Sequence, residues 1–172
     1  MIARESDDRH PIIPGGILSL AILAPNLGWL AFRPREAEPT QDRRAPFERV
    51  LGAMEIVGRV GVLAIAFFYD FAVTGPIEKA ALFLLLGTIS VYYACWFRYF
   101  IRGRHLRDLY APLGSLPVPM AIAPVVAFCM GAILLRAIPL AAAAVVLGVS
   151  HIPICYRKAK TLGDDRIGDA AA

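Results

Sequence analysis

Cysteine is scarce and poorly placed for redox or metal work. Cys95, Cys129 and Cys155 are odd in number, lie in or near apolar runs, and show neither CxxC nor metal-ligand spacing, so they read as small packing residues. Histidine is as sparse: His10, His105 and His151 fall on different sides or at different depths, which argues against a haem or zinc centre. The chain has no glycine-rich phosphate loop with its lysine, no HExxH, and no paired aspartates of the kind that hold magnesium diphosphates. Neither a metal nor a cofactor is therefore expected. A basic leader is also missing, because the stretch Met1 to His10 is acidic where a signal peptide is basic, and the first apolar segment is expected to be retained. Charge is thin throughout, at 19% of 172 residues. No repeat of the transporter kind is visible.

What the chain does have is apolar surface. It is 58% hydrophobic, with a mean hydropathy of +0.58, too apolar for an ordinary soluble domain of this size. Five apolar runs approach the ~20 residues needed to cross a bilayer: Ile13–Phe32, Val50–Asp70, Ala80–Phe97, Leu116–Leu135 and Ala137–Cys155. Little more than Arg136 separates the last two, which predicts a tight helical hairpin. The expected fold is all-α, a polytopic membrane helix bundle of about five transmembrane helices. A polar tail over 1–12 precedes a single bundle over 13–156, and a basic, then acidic, tail occupies 157–172.

Arginine and lysine orient the bundle, since cytoplasmic loops retain positive charge. Arg33, Arg35, Arg43, Arg44 and Arg49 fall in the first loop, and Arg98, Arg102, Arg104 and Arg107 in the third. Arg157, Lys158, Lys160 and Arg166 fall in the tail. The second and fourth loops carry only Lys79 and Arg136. The N-terminus is thus expected outside and the C-terminus in the cytoplasm, in a multi-pass protein of the inner cell membrane. The net charge of +4 is accounted for by topology and implies no nucleic-acid partner. Nothing in the chain specifies an oligomeric state.

Inside the second apolar run lie Glu55 and Arg59. An ionisable group near the hydrocarbon centre costs roughly 2.5–3.5 kcal/mol on insertion scales, so it faces a bundle interior, takes a partner, and points to function. Counting ~1.5 Å per residue from each inner end places Glu55 level with Asn26, Tyr92, Tyr93, Ser150 and His151. Pro25, Pro117, Pro119, Pro124 and Pro153 break backbone hydrogen bonding in the same layer, which membrane proteins tolerate where protein or a cavity satisfies the freed carbonyls. The pattern predicts a polar pocket under an apolar roof, open toward the cytoplasm and suited to a lipid-like substrate. Glu55, Arg59 and His151 are the candidate catalytic groups: a partly desolvated Glu55 as general acid, Arg59 orienting it or a substrate group, and His151 or Tyr92 as the other half of an acid–base pair. Asn26, Tyr92, Tyr93 and Trp96 are the candidate substrate-binding groups.

Each candidate has a plain structural alternative. Glu55 and Arg59 stand at i, i+4 on one helix face and read equally as a simple intrahelical ion pair that makes both charges tolerable. His151 reads equally as a hydrogen-bonded packing residue, Asn26 as a cap on a broken helix, and Trp96 as an interfacial anchor. Tyr92 and Tyr93 point roughly 100° apart, so only one of them faces the core.

The segments Ala24-Pro-Asn-Leu-Gly-Trp29, Glu55-Ile-Val-Gly-Arg59, Tyr92-Tyr-Ala-Cys-Trp-Phe-Arg-Tyr99, Leu116-Pro-Val-Pro-Met120 and His151-Ile-Pro-Ile-Cys-Tyr156 resemble a family of small bacterial five-helix membrane proteins. The chain also resembles the small integral-membrane terpene cyclases of bacterial indole-sesquiterpenoid pathways. That second resemblance implies a hydrophobic prenylated, indole-type substrate, protonated at an alkene or epoxide by an intramembrane carboxylic acid, and it casts Glu55 as that acid. It departs from an acid pair in one respect: Asp70 sits too near the outer surface to share the pocket. The alternative class is a non-catalytic transport or accessory subunit in which the Glu55–Arg59 pair is structural or carries a proton.

Overall fold

A computed structural model describes residues 14–34 and 46–170, leaving out the side chains of 30, 31 and 164–170. The tail over 1–12, Ile13, Arg35, Arg43, Arg44 and the side chain of Arg166 lie outside that description. All regular structure among the described residues is helical: α1 (Gly16–Ala31), α2 (Pro46–Ile65, run on by a 3-10 turn to Phe68), α3 (Pro76–Ile101), α4 (Leu106–Tyr110), α5 (Pro119–Leu134) and α6 (Ile138–Ala170). Every expected apolar run is a helix. Three of them are long and apolar enough to cross a membrane: Pro46–Phe68, Pro76–Ile101 and Ile138–Gly163. At 16 residues each, α1 and α5 rise only ~24 Å. The helix of the last run does not stop at Cys155 but continues through the segment expected as a tail.

Local chemistry sets the helix ends. Proline occupies the first turn of α2, α3 and α5, where its missing N–H costs nothing. Gly75 precedes Pro76, and its N–H donates to the Glu78 carboxylate at 3.0 Å. α3 stops at Gly103, whose φ of +87° suits glycine, and the next residue's N–H reaches back to the Tyr99 carbonyl at 3.0 Å. α5 and α6 are joined by a turn in which Arg136 sits at φ +49°. The Arg136 guanidinium donates to the Thr74 hydroxyl at 3.0 Å and the Glu78 carboxylate at 3.1 Å. Arg136 thereby ties the α5–α6 turn to the start of α3.

Successive long helices alternate in direction, which gathers their ends at two faces. At one face the Gly15 N–H donates to the Tyr69 carbonyl and the Ala72 N–H to the Leu134 carbonyl, each at 2.9 Å. The opposite face carries the end of α1, the start of α2, α4 and the extension of α6. The core between them is built from small residues, with Ala121, Ala123, Ala127, Ala132 and Ala144 buried beside Phe128, Leu134 and Leu140. Such residues let helices approach closely where lipid supplies no hydrophobic drive.

α2 and α6 pack antiparallel through one continuous register. Glu48 pairs with Arg157, whose guanidinium also lies 5.7 Å from the Phe47 ring centre. Glu55 meets His151, Gly58 lies against the backbone of Leu147, and Gly61 against Ala143. Each step along α2 by three or four residues is matched by one back along α6. This is the 3-4 spacing of interdigitating helices. Glu55 thus occupies a seam position, and the seam carries it to a histidine.

Candidate functional site

Two apparent defects in the chain answer each other. Pro25 has no N–H, so the Ala21 carbonyl loses its partner within α1. The Tyr93 hydroxyl donates to that carbonyl at 2.9 Å. One residue on, the Ile22 carbonyl accepts from the Asn26 amide at 2.9 Å and from the Tyr92 hydroxyl at 3.2 Å. Asn26 also donates to the Tyr92 oxygen at 2.9 Å. The Pro25-Asn26 and Tyr92-Tyr93 pairs are therefore two halves of one helix junction.

That junction forms one wall of a cavity of about 600 Å³, within the usual range for small-molecule sites of roughly 300–1,000 Å³. Asn26, Glu55, Arg59, Tyr92, Trp96 and His151 all line it. Tyr93 does not: it is 42% exposed, and its hydroxyl is spent on α1. Ser150 is buried and donates within its own helix. Of the expected residues, the structure thus brings six together and leaves Tyr93 outside. Leu106, Leu109 and Tyr110 of α4 also line the cavity, all buried.

Glu55 is the hub of the polar wall. Its Oε1 accepts from Arg59 Nη2 at 2.6 Å and from His151 Nδ1 at 2.8 Å. The histidine proton must then sit on Nδ1, which leaves Arg59 Nη2 and His151 Nδ1 as two donors in close approach at 3.5 Å. Both the carboxyl group and the imidazole are largely buried. Among the described residues, Oε2 of Glu55 makes no hydrogen bond. One carboxyl oxygen is clamped by two donors, and its twin is left for other chemistry.

Trp96 is a wall residue rather than an interfacial anchor. It is 3% exposed, edge-on to Tyr92 at 6.4 Å, edge-on to Tyr99 at 5.7 Å, and stacked on Phe100 at 5.9 Å. Its indole N–H is buried with no hydrogen-bond partner among the described residues. A buried unpaired donor costs about 1–3 kcal/mol, and an acceptor atom on a bound molecule would offset that. Arg98, two residues on, turns away to bond the Ala111 and Pro112 carbonyls and secures the end of α4.

Several lining residues carried no signal in the linear chain. Cys155, read as inert packing, lines the cavity with its sulfur 3.7 Å from both His151 ring nitrogens. Leu147, Ile154 and Lys158 line it too. With Cys155 they follow from His151 by helical spacing, at i−4, i+3, i+4 and i+7. Met120, Pro124 and Phe128 of α5 complete the apolar side. Among the described residues, no three His, Cys, Asp or Glu side chains are arranged to hold a metal ion.

The two tyrosines make a contrast that can be measured. Tyr93→Phe should lower stability by about 1 kcal/mol by orphaning a carbonyl, while leaving ligand binding intact. Tyr92→Phe should cost a similar amount of stability, about 1 kcal/mol, and also weaken binding, because Asn26 loses its acceptor on the cavity wall. Unfolding in mixed micelles and a binding titration on the same preparations separate the two outcomes. Equal binding losses would remove Tyr92 from the site.

Comparison with family models, curated proteins and solved structures finds no match to this chain.

Proposed function

We propose that the protein is a membrane-embedded cyclase of the terpene type, acting on a prenylated, indole-type substrate by proton-initiated ring closure. In this reading the five long helices all cross the inner cell membrane, with the N-terminus outside and the C-terminus in the cytoplasm. The arginine-rich face supports that orientation. α1 and α5 are accommodated by local thinning of the bilayer, at a modest cost per ångström. The observation that carries the chemistry is the asymmetry of Glu55: among the described residues, Oε1 holds two donors and Oε2 holds none.

With Oε1 occupied by two donors, Oε2 is the carboxyl oxygen positioned to carry a transferable proton into the cavity. In the proposed first step, the Glu55 Oε2–H bond breaks and a C–H or O–H bond forms at the substrate's terminal alkene or epoxide. The cation that results is steadied by the ring faces of Tyr92 and Trp96, while apolar walls exclude water. Loss of a proton from the cation to His151 Nε2 gives a product isomeric with the substrate and leaves an imidazolium beside the Glu55 carboxylate. Return of the Nδ1 proton to Glu55 along their hydrogen bond, with solvent exchange resetting the imidazole tautomer, restores the starting state. Arg59 and the Nδ1 side of His151 position the acid throughout.

Protein in nanodiscs, incubated with a prenyl-indole epoxide or its alkene in D₂O, should yield an isomer of the substrate. The alkene should gain one carbon-bound deuteron. No isomer, or an alkene-derived isomer without deuterium, overturns the reading. A second reading keeps the site non-catalytic, as a transport or accessory subunit. It is favoured by the shared register of Glu55–His151 and Glu48–Arg157, which makes both pairs fasteners between α2 and α6.

A further inference from the structure

The cavity's lining is buried on one side and largely exposed on the other. Its lining on α3, α4, α5 and α6 includes Tyr92, Trp96, Leu109, Phe128, Leu147 and Ile154, all buried. On α1 and α2 the lining is mixed: Ile22 and Val62 are buried, but Leu27 is exposed by 54%, Ile56 by 62% and Val60 by 60%, with the Arg59 side chain at 56%. The described hydrogen bonds between α1 and α2, including the 3-10 turn that continues α2, lie toward one end of the pair. Ser19 donates to the Leu63 carbonyl at 2.9 Å and the Gly15 N–H to Tyr69 at 2.9 Å, while Gly16 abuts the Phe67 ring. Nearer the arginine-rich face the cavity itself stands between the two helices. These lips are apolar, as suits a surface facing lipid chains rather than water.

Arg59 stands at this edge with much of its hydrogen-bonding capacity unspent. Among the described residues its Nη2 bonds Glu55, while Nη1 and Nε bond nothing. A half-exposed guanidinium at membrane depth needs acceptor oxygens, and Glu55 meets only part of that need.

We infer that the gap between α1 and α2 is a lateral portal, through which a single-chain amphipathic lipid enters from the surrounding leaflet. Its chain passes into the aromatic and aliphatic interior, and its oxygen-bearing head stops at the free edge of Arg59. This rests on the proposed reading for the isoprenoid nature of the chain, but the route itself is independent of any reaction. A substrate of this kind never has to cross the arginine-rich surface.

The test uses the full chain in nanodiscs with a farnesol analogue carrying a diazirine and an alkyne, photolysed and mapped by peptide mass spectrometry. Labels should fall on 22–27 and 56–63 and saturate with probe concentration. Leu27→Trp and Val60→Trp should each weaken saturable labelling about tenfold or more, while Phe83→Trp on the exposed face of α3 should not. Arg59→Gln should weaken capture of the alcohol probe and leave unchanged that of a hydrocarbon analogue lacking the hydroxyl. Labelling spread equally over Phe83 and Val145, or unaltered half-saturation in folded Leu27→Trp and Val60→Trp proteins, overturns the portal. Glu55→Gln should keep the label and lose turnover, so turnover retained by a labelled Glu55→Gln protein overturns the acid's role and not the portal, while unsaturable labelling overturns the portal and not the chemistry.

Discussion

Glu55→Gln should leave a folded protein that no longer forms the cyclised isomer, with a loss of about 10²–10⁴-fold, the usual range for removing a general acid. The substitution keeps nearly the same shape. An amide oxygen at the Oε1 position still accepts from Arg59 and His151, which sit at 2.6 and 2.8 Å in the native chain. What disappears is the group at Oε2, since an amide NH₂ has no proton acidic enough to start a carbocation. Arg59 keeps its hydrogen bond but loses its counter-charge, a penalty eased by the exposure of more than half of its side chain. Folded yield, judged by gel filtration and helix content, should therefore stay within about twofold of the parent, equivalent to well under 1 kcal/mol.

The fastener reading makes the opposite forecast for the same variant. If Glu55 is purely structural, tying α2 to His151 and neutralising Arg59 on its own helix, glutamine lowers yield by stranding a cation, and adding Arg59→Gln restores it because no unpaired charge remains. Under the cyclase reading the double variant recovers no product. A Glu55→Gln protein that still turns the substrate over at the parent rate would remove Glu55 from the chemistry altogether. Glu55→Asp sharpens the test. One methylene fewer draws the carboxyl group back from His151 while keeping an acidic proton, so activity should be intermediate.

Much of the layout was legible in the chain because bilayer physics writes it plainly. Apolar runs bounded by arginines marked all five long helices, and counting residues from their inner ends put Asn26, Glu55, Tyr92 and His151 at one height. The cavity wall now holds all four. Depth is one coordinate, however, and contact needs two more. Residues 48, 51, 55, 58 and 62 repeat at 3-4 spacing, as do 147, 151, 154 and 158, yet nothing in either series says that one helix lies on the other. The close approach of Gly58 to Leu147, with the Glu55–His151 bond beside it, makes the two series a single seam. Trp96 was ambiguous for a different reason, since a tryptophan near a helix end has the signature of the interfacial belt. It is buried because Tyr92, Tyr99 and Phe100 pack around it. α4 escaped notice because five residues among arginines are too few to establish a period. Tyr93 was miscast because its real partner, a carbonyl freed by a proline on another helix, is a feature of backbone rather than of side-chain type.

The seam also sets where the largest structural effect should fall, at Gly58→Leu. A Cβ built at Gly58 lies 2.7 Å from the Leu147 nitrogen and 2.8 Å from its Cα. Both are backbone atoms of a neighbouring helix and cannot swing aside. Even alanine must push α2 and α6 apart there, at a cost of about 1–3 kcal/mol for overpacking, and leucine should exceed that range. Because Glu55 is one turn from Gly58, as His151 is from Leu147, the separation opens the 2.8 Å bond between them as well. Gly58→Leu should therefore lose folded protein, and whatever remains folded should lose the cavity's polar wall with it. Gly52 and Gly87 are the matched controls: each sits in a long helix with nothing within 4 Å of a built Cβ, so alanine there should be neutral or stabilising by up to about 1 kcal/mol. Unfolding of the glycine variants by detergent titration, read alongside photolabelling of the cavity, checks both halves of the forecast. A Gly58→Leu protein as stable as its Gly52→Ala and Gly87→Ala counterparts would mean that α2 and α6 do not meet in this register, and the Glu55–His151 site would fall with the seam that builds it.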